Sequence, residues 1–447
     1  MNLPRKLAYS FGTIASALSY QAFSTYVFFF YVDVMMLPVL LASIGMIVYG
    51  IWNAINDPLA GYISDCTHTK WGRRIPYIAF GAIPFGIVFA FVFSPPVSAE
   101  NILFLFLYFV FIINLHDTIY TVVVLNWASL FPEMFQTLAE RAEVNSYRQF
   151  FQILGYIIGI ASPPLIYARF GWGAMGIALG ILITIAFLIT LLGARERKEF
   201  SAAPPLNIKD ALLTTFKHRS FVFFVSANVF VQYAFTIVLA AVPFYVKYVL
   251  QASSFETFAI LFSAFIVAIP MLFIWRAFLK KFGAKSCFIA AVLCFGTALL
   301  PFLIVGKVSG AMITAGFAGI GLAGILLIWD VIISDIIDED ELNCGARREG
   351  MYFGINAFIV RLAITLQALT IGLLFVATKY DPGLAFQGNL TVFGIKSLLS
   401  LFPVSGLILA FLIMRHYPLA GEKLKEVKAK VHALHEEKEK KAGLNKT

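Results

Sequence analysis

Polar side chains inside long apolar segments are the residues of this sequence that could do chemistry. Asn53, Asn56 and Asp57 lie within about one helical turn of each other, followed by Pro58 and Gly61. A carboxylate and amide oxygens at this spacing are ligands for a small hard cation. Pro58 also frees a backbone carbonyl, because proline has no N–H to donate to the preceding turn. This segment predicts a cation site.

A second polar group recurs at helical spacing further along the chain. Asp117, Tyr120 and Thr121 share one face of a helix, because side chains three and four residues apart lie on the same side. Asp117 could carry a proton or form a structural hydrogen bond, and the sequence leaves both open. The predicted cation-coupling residues are Asn53, Asn56, Asp57, Asp117 and Thr121.

Two arginines, Arg148 and Arg361, also lie inside apolar segments, where an unpaired charge costs at least ~2.5–3.5 kcal/mol. Each could line a polar passage or form a structural ion pair. The first apolar segment adds hydroxyl, amide and aromatic groups, which suit a polyol solute. The predicted solute-binding residues are Tyr20, Gln21, Tyr120, Trp127, Arg148, Asn356 and Arg361.

The elements that hold these residues must be membrane-spanning helices. The chain has 447 residues, of which 60% are apolar and 13% charged, whereas soluble proteins carry about 25% charged residues. Its apolar runs are continuous and reach the roughly 20 residues of a spanning helix, whereas barrel strands would alternate. We predict an all-α membrane protein with twelve spans, near residues 8–31, 39–64, 75–94, 101–131, 143–168, 172–193, 219–246, 257–279, 286–305, 309–336, 350–377 and 391–415.

Basic residues predict the orientation of these spans. Of the 34 lysines and arginines, four fall in loops opposite the chain ends, namely Arg169, Lys247, Lys307 and Lys379. Basic loops face the cytoplasm, so we expect both termini there. The net charge of +9 belongs to these loops, and we expect no nucleic-acid partner. The first residues are too few for a signal peptide and lack a cleavage site.

A polar segment near the middle of the chain divides the spans into two sets of six. We predict two pseudo-symmetric six-helix bundles, at 1–193 and 219–415, joined by a cytoplasmic linker at 194–218. Such halves typically hold a solute between them at the membrane midplane. Lys and Glu alternate in the charged cytoplasmic tail at 416–447, which predicts a solvated helical or disordered segment.

The loop after the second span predicts a gate. Asp65, Arg73 and Arg74 could hold the halves together in one gating state or form a solvated membrane flank. The four cysteines form no Cys-x-x-Cys pair, so they indicate neither a redox motif nor a metal site. We expect no cofactor beyond a coupling ion, Na⁺ or H⁺, and no metal beyond Na⁺ at the coupling site.

Two long motifs lie in basic loops of the two halves. They are NDPLAGYISDCTHTKWGRRIPYI and SDIIDEDELNCGARREGMYFGINAF, and the stretch FPEM follows the fourth span. These motifs resemble those of the glycoside–pentoside–hexuronide:cation symporters, a branch of the major facilitator superfamily that includes the melibiose permeases. The resemblance extends from about Lys6 to His416. It implies the major facilitator fold and secondary active transport, usually of a sugar, driven by Na⁺ or H⁺.

The resemblance carries over only in part. By this resemblance, the residues that correspond to the cation site of the melibiose permeases are Asn53, Asn56, Asp57 and Thr121. One of the family's two acids has therefore become Asn. By the same resemblance, the positions that correspond to the galactoside site of those permeases are Ala17, Val124, Tyr120, Ala128, Arg148 and Arg361. Both sugar-binding acids are missing, and Trp127 lies next to the position of the missing Trp. Two arginines with few acids favour an anionic solute such as a hexuronate.

The sequence therefore predicts a symporter that imports a sugar or sugar derivative with a monovalent cation, by alternating access, as a monomer in the lipid bilayer. Two alternatives remain. The same fold could carry a lysolipid, since lysolipid transporters resemble this family, or the chain could be a non-transporting membrane sensor or binding scaffold. We expect no enzyme, because the sequence offers no Ser/His/Asp set, metal cluster or Gly-rich phosphate loop.

Overall fold

The computed structural model describes residues 2–67, 69–97, 100–135, 138–196, 217–344 and 349–441. These residues form fourteen α-helices, numbered in chain order. The helices are α1 (Leu3–Phe29), α2 (Val39–Cys66), α3 (Ile75–Val92), α4 (Ile102–Met134), α5 (Leu138–Tyr156), α6 (Pro163–Gly193), α7 (Arg219–Tyr245), α8 (Ser254–Phe282), α9 (Ala284–Leu299), α10 (Val308–Cys344), α11 (Glu349–Thr378), α12 (Asn389–Leu399), α13 (Leu401–Arg415) and α14 (Glu422–Lys441). Three π-helical turns extend α1, α5 and α7, at Phe30–Val34, Ile157–Ala161 and Val246–Leu250.

Helices α1–α6 form one bundle and α7–α13 the other, with α12 and α13 together making the twelfth span. The all-α prediction is confirmed, and ten spans of the described chain are apolar and long enough to cross a membrane. The α1 and α5 helices are not among these ten, because they carry polar side chains such as Gln21 and Arg148. Most of the predicted linker, at 197–216, lies outside the described residues.

The chain bends where the sequence prediction placed continuous helix. The predicted fifth span is wrong at its end, because Pro163 and Pro164 begin a new helix after Ser162, which follows the turn ending at Ala161. Proline fits the first turn of a helix, where no N–H is needed. Gly171 then takes a φ of 86°, a left-handed conformation that glycine adopts without steric cost. The predicted twelfth span is likewise interrupted, at Ser400, between α12 and α13.

Helices α2 and α11 pack closely where the two bundles meet. A Cβ at Gly50 would collide with the side chain of Thr365, and a Cβ at Gly372 would collide with that of Ser43. Small residues allow membrane helices to approach each other closely. We call this close contact the α2–α11 seam. It brings two predicted site segments together across the bundle interface, because α2 carries Asp57 and α11 carries Arg361.

A cluster around Asp33 joins the bundles on the membrane side opposite the chain ends. The Asp33 carboxylate accepts hydrogen bonds from Lys247 Nζ at 2.6 Å, from the Tyr248 hydroxyl at 2.5 Å and from the Tyr380 hydroxyl. The Asp33 side chain is only 1% exposed. Asp33, Lys247 and Tyr248 lie in the π-helical turns that end the first helix of each bundle. We call Asp33, Lys247, Tyr248 and Tyr380 the opposite-side latch.

On the side of the chain ends, α14 packs against the end of α10. Lys423 Nζ lies 2.6 Å from Glu339 Oε1, and Lys428 Nζ lies 3.0 Å from Asp335 Oδ1. Val427, one helical turn after Lys423, is buried. The tail is therefore helical over α14, and most of the charged side chains described there are exposed, while Val427 and Val431 form a buried face. The apolar positions of α14 give it a face that packs, which the alternation of Lys and Glu obscures.

The opposite-side latch leads to a prediction about opening. Asp33→Asn removes the charge that binds Lys247, and a hydrogen bond to a charged group contributes about 1.5–3 kcal/mol. We expect the opposite side to open roughly tenfold more often or more. The measurement is the labelling rate of Phe29→Cys by a membrane-impermeant maleimide, in a protein without its native cysteines. Phe29 suits this test because it is 6% exposed and packs edge to face on Phe244 across the interface.

The matched control is Asp381→Asn. Asp381 is an exposed acid on the same membrane side, and its carboxylate accepts a hydrogen bond from the Gly383 N–H at 2.9 Å. This control should leave the labelling rate unchanged. Equal rates in Asp33→Asn and in the parent would contradict a closing role for the latch.

Candidate functional site

Asp117 is the centre of a polar cluster between α2 and α4. Its side chain is buried, and both of its carboxylate oxygens accept hydrogen bonds from amides of α2. Asn53 Nδ2 donates to Oδ1 at 2.6 Å, and Asn56 Nδ2 donates to Oδ2 at 3.1 Å. Asn56 Nδ2 also lies 3.2 Å from the main-chain oxygen of Asp117. Two neutral amides therefore bind the carboxyl group of Asp117 inside the first bundle.

Arg361 of α11 reaches this cluster from the second bundle. Its Nη1 donates to Asp57 Oδ1 at 2.6 Å and to Thr121 Oγ1 at 3.2 Å, and it lies 3.9 Å from Asp117 Oδ1. Thr121 Oγ1 donates to the same Asp57 oxygen at 2.7 Å. The guanidinium also lies 5.4 Å from the ring centre of Tyr120, a distance typical of a cation–π contact. Arg361, predicted as a solute ligand, thus binds the predicted cation site.

The acid–arginine cluster consists of Asn53, Asn56, Asp57, Asp117, Thr121 and Arg361. With both carboxylates ionised, its two negative charges face one positive charge, so one negative charge remains. Asn53 Oδ1 is buried and has no hydrogen-bond partner among the described residues. That oxygen, the two carboxylates and the Thr121 hydroxyl are the atoms that could hold a hard monovalent cation.

Arg148 of α5 lies against aromatic rings. Its guanidinium carbon is 5.0 Å from the Trp127 ring centre and 4.7 Å from the Phe131 ring centre. The Nε atom is buried, and within the described part of the chain it has no hydrogen-bond partner. Arg148 can therefore donate to a solute without first breaking a hydrogen bond at Nε.

Gln149, next to Arg148, joins α5 to α10 of the other bundle. Its Nε2 donates to Asp330 Oδ2 at 2.8 Å. Asp330 also lies within electrostatic range of Arg148 and of Tyr156. Asp330 is absent from the residues that the sequence predicted, although an acid inside the tenth predicted span was an available signal. We call Arg148, Gln149 and Asp330 the α5–α10 cluster.

Tyr20 and Gln21 of α1 extend the polar surface from one cluster towards the other. The Tyr20 hydroxyl and Gln21 Oε1 are buried and lack hydrogen-bond partners among the residues described. The Tyr20 ring centre is 6.4 Å from that of Tyr120, which lies beside Arg361. Gln21 interacts with the Tyr156 side chain, which lies near Asp330. The unpartnered polar atoms thus lie near both clusters.

Trp127 and Asn356, two further predicted solute-binding residues, bond within their own bundles. Trp127 Nε1 donates to the main-chain oxygen of Tyr9 at 3.1 Å, and its side chain is almost fully buried. Asn356 Oδ1 accepts a hydrogen bond from Asn228 Nδ2 at 2.7 Å. Trp127 contacts Arg148 through its ring. A direct role for Trp127 or Asn356 in solute binding stays a prediction.

The predicted gating residues form ion pairs inside the first bundle. Arg73 Nη2 and Arg74 Nε lie 2.8 and 3.0 Å from Glu133 Oε1. The Glu196 carboxylate accepts hydrogen bonds from both of their main-chain N–H groups. These contacts fasten the loop after α2 to the ends of α4 and α6. The Asp65 side chain lies outside the described residues, and a gating role between the halves stays a prediction.

Comparisons with known proteins match this chain to transporters. A family model described as MFS/sugar transport protein matches residues 8–421. The isoprimeverose transporter of Lactiplantibacillus pentosus is 24% identical over 84% of this chain and 80% of its own length. The sodium-dependent lysophosphatidylcholine symporter 1 of Gallus gallus is 25% identical, over 97% and 89% respectively. The crystal structure of a D-xylose-proton symporter shares the fold, with a TM-score of 0.66 at 16% identity, covering 93% of this chain and 97% of that one.

The two arginines should differ in their contribution to stability. Arg361→Met leaves Asp57 and Asp117 without a positive partner, and removing one member of a buried ion pair costs about 3–5 kcal/mol. Arg148→Met is the matched control, because it removes aromatic contacts of about 1 kcal/mol and a longer-range attraction to Asp330, rather than an ion pair at hydrogen-bond distance. The free energy of unfolding in detergent, followed by intrinsic fluorescence, should therefore fall several times more for Arg361→Met.

A double variant, Asp57→Asn with Arg361→Met, should recover part of the lost stability, because it removes both members of the pair. Equal losses for the two single variants, with no recovery in the double variant, would contradict the ion pair between the bundles.

Proposed function

Since this chain belongs to the MFS/sugar transport protein family, we propose that it is a symporter that carries one neutral sugar with one monovalent cation. The family and the relatives are transporters rather than enzymes, and the apolar helices make the chain a multi-pass membrane protein. The acid–arginine cluster is the observation that supports cation coupling. In this cluster the Asp57 carboxylate is one of the proposed cation ligands, and it also forms the ion pair with Arg361 of the other bundle.

A bound cation and the Arg361 guanidinium compete for that carboxylate. The attraction between two unit charges 4 Å apart is about 4 kcal/mol at an effective dielectric constant of 20. A cation bound between Asp57 and Asp117 weakens the attraction that Arg361 feels. Cation binding therefore loosens the contact between the bundles at the α2–α11 seam, so that ion binding and conformation are coupled.

Alternating access requires that the bundles part on one side while they meet on the other. The opposite-side latch and the α2–α11 seam support this mechanism, because both are contacts between the bundles. Asp33 holds the latch through hydrogen bonds and one ion pair, all of which can break reversibly. Gln149, Asp330 and Arg361 make contacts between the bundles, where movement of the bundles would expose them to each side in turn.

The charge of the site favours a neutral solute over the sugar acid that the sequence suggested. The acid–arginine cluster and the α5–α10 cluster together carry three carboxylates, of Asp57, Asp117 and Asp330, and the two guanidiniums of Arg148 and Arg361. Their net charge is one negative. One monovalent cation brings it to zero, whereas a uronate would leave a buried negative charge uncompensated.

We also propose a monomer whose chain ends lie in the cytoplasm. Both clusters are completed by side chains of a single chain, which supports a monomer as the transporting unit. The basic residues concentrate on the side of the chain ends, for example at Lys70, Arg73 and Arg74. The positive-inside rule assigns such loops to the cytoplasm.

Transport into proteoliposomes tests the proposed solute. The probes are labelled D-xylose, D-glucose, D-galactose, methyl β-D-galactoside, D-glucuronate and a lysophosphatidylcholine, each with a sodium gradient and with a pH gradient. We expect accumulation of at least one neutral sugar and at least tenfold less of the uronate. Accumulation of the uronate or of the lysophosphatidylcholine alone would contradict a neutral sugar as the solute.

Asp117→Asn tests the coupling. The variant loses the negative charge that one cation balances, so uphill accumulation should fall to equilibration of the sugar. Exchange of labelled for unlabelled sugar across the membrane should continue, since it needs no net cation movement. The matched control is Asn126→Leu on the same helix, where the native amide donates to the carbonyl of Val122. Unchanged accumulation by Asp117→Asn would remove Asp117 from the coupling site.

A further inference from the structure

We propose that Asp330 supplies the carboxylate that binds the hydroxyls of the sugar, acting with Gln149 and Arg148 of the other bundle. The proposal rests on the proposed function and names the residue that recognises the solute. It also explains how a sugar site can work here without acids at Ala17 and Val124, where the resemblance to the melibiose permeases implied them.

The position of Asp330 suits a solute between the bundles. It lies on α10 of the second bundle, and its Oδ2 accepts a hydrogen bond from Gln149 on α5 of the first. The side chain is half-buried, and the hydrogen bond crosses the interface where a solute must bind and leave. Burying an acid within a membrane span is costly, and such acids generally serve a solute or ion pathway.

A sugar hydroxyl can take the place of Gln149 at this carboxylate. The Gln149 amide and a hydroxyl both donate one hydrogen bond, and both are neutral, so the exchange leaves the charge unchanged. An ionised carboxylate has two oxygens with about four acceptor positions. Two neighbouring hydroxyls of a pyranose ring can therefore bind its two oxygens at once. The Gln149–Asp330 bond is then the contact between the bundles that the sugar replaces.

Arg148 completes the recognition because it offers what Asp330 lacks. A guanidinium only donates hydrogen bonds, whereas a carboxylate only accepts them, and each sugar hydroxyl can do both. The Trp127 and Phe131 rings hold the guanidinium beside them, and its buried Nε has no hydrogen-bond partner in the described residues. A hydroxyl or ring oxygen of the sugar can accept from Arg148 while a neighbouring hydroxyl donates to Asp330.

The test combines Asp330→Asn with sugars that lack one hydroxyl. The probe is the neutral sugar that the parent accumulates best in the panel above, together with each of its monodeoxy derivatives, measured by competition for exchange. For one or two hydroxyl positions the deoxy sugar should bind the parent roughly 10- to 100-fold more weakly, as expected for a hydrogen bond to a charged group. In Asp330→Asn this difference should largely disappear.

The matched control is Asp335→Asn, on the same helix. Asp335 pairs with Lys428 of α14, so this variant should keep the preference of the parent for every hydroxyl. Hydroxyl preferences in Asp330→Asn that equal those of the parent would overturn the inference while leaving sugar transport intact. A parent that accumulates no sugar at all would instead overturn the proposed function, and this inference with it.

A second measurement covers the case in which Asp330→Asn folds poorly. In a protein without its native cysteines, Asp330→Cys should react with N-ethylmaleimide. The same neutral sugar, at a concentration roughly 100-fold above the one that saturates the parent, should slow this reaction at least severalfold, because the variant is expected to bind the sugar up to about 100-fold more weakly. Ser334→Cys, at an exposed position one turn further along α10, serves as the control and should react equally with and without sugar. Equal reaction of Asp330→Cys with and without sugar would contradict the proposed contact.

Discussion

A guanidinium buried in a membrane protein must find negative partners, and the contact between Arg361 and Asp57 is the one on which the rest of this site depends. It forms at 2.6 Å across the bundle interface, where α2 and α11 are brought together by Gly50 and Gly372. The same Asp57 oxygen accepts a hydrogen bond from Thr121, a possible cation ligand. The carboxylate can therefore bind either an ion or Arg361 of the other bundle. In the proposed mechanism this one charge links ion binding to the movement of the bundles.

In the proposed mechanism the two polar clusters serve the cation and the solute separately, on different helices. Asp117 and Asp57 lie on α4 and α2 and keep one negative charge in excess, which calls for a cation. Arg148 and Asp330 lie on α5 and α10 and balance each other, which suits a neutral solute that both donates and accepts hydrogen bonds. The π-helical turns that carry Asp33 and Lys247 add a contact that can break when the opposite side opens.

Much of this architecture follows from the sequence, because the length and hydropathy of the apolar runs indicate where most of the spans form. The same logic identified Asp57, Asp117 and Arg361 as charges that apolar surroundings could not tolerate alone. It could not say that they meet, since the seam that joins α2 to α11 depends on packing between segments some 300 positions apart. Asp330 could have been singled out by the same reasoning, as an acid inside a predicted span, but its partner Gln149 could not, because it lies in the other bundle. Packing of α14 was missed because its buried face is short.

The most direct test is to compare experimental structures of the protein with its sugar in sodium-free buffer, in sodium and at low pH. Arg361 Nη1 lies 2.6 Å from Asp57 Oδ1 in the contact described here. We expect this separation to persist without the coupling ion and to exceed 4 Å once sodium or a proton occupies the cluster. An ion pair that stays intact under all three conditions, with sugar bound, would contradict competition between Arg361 and the cation.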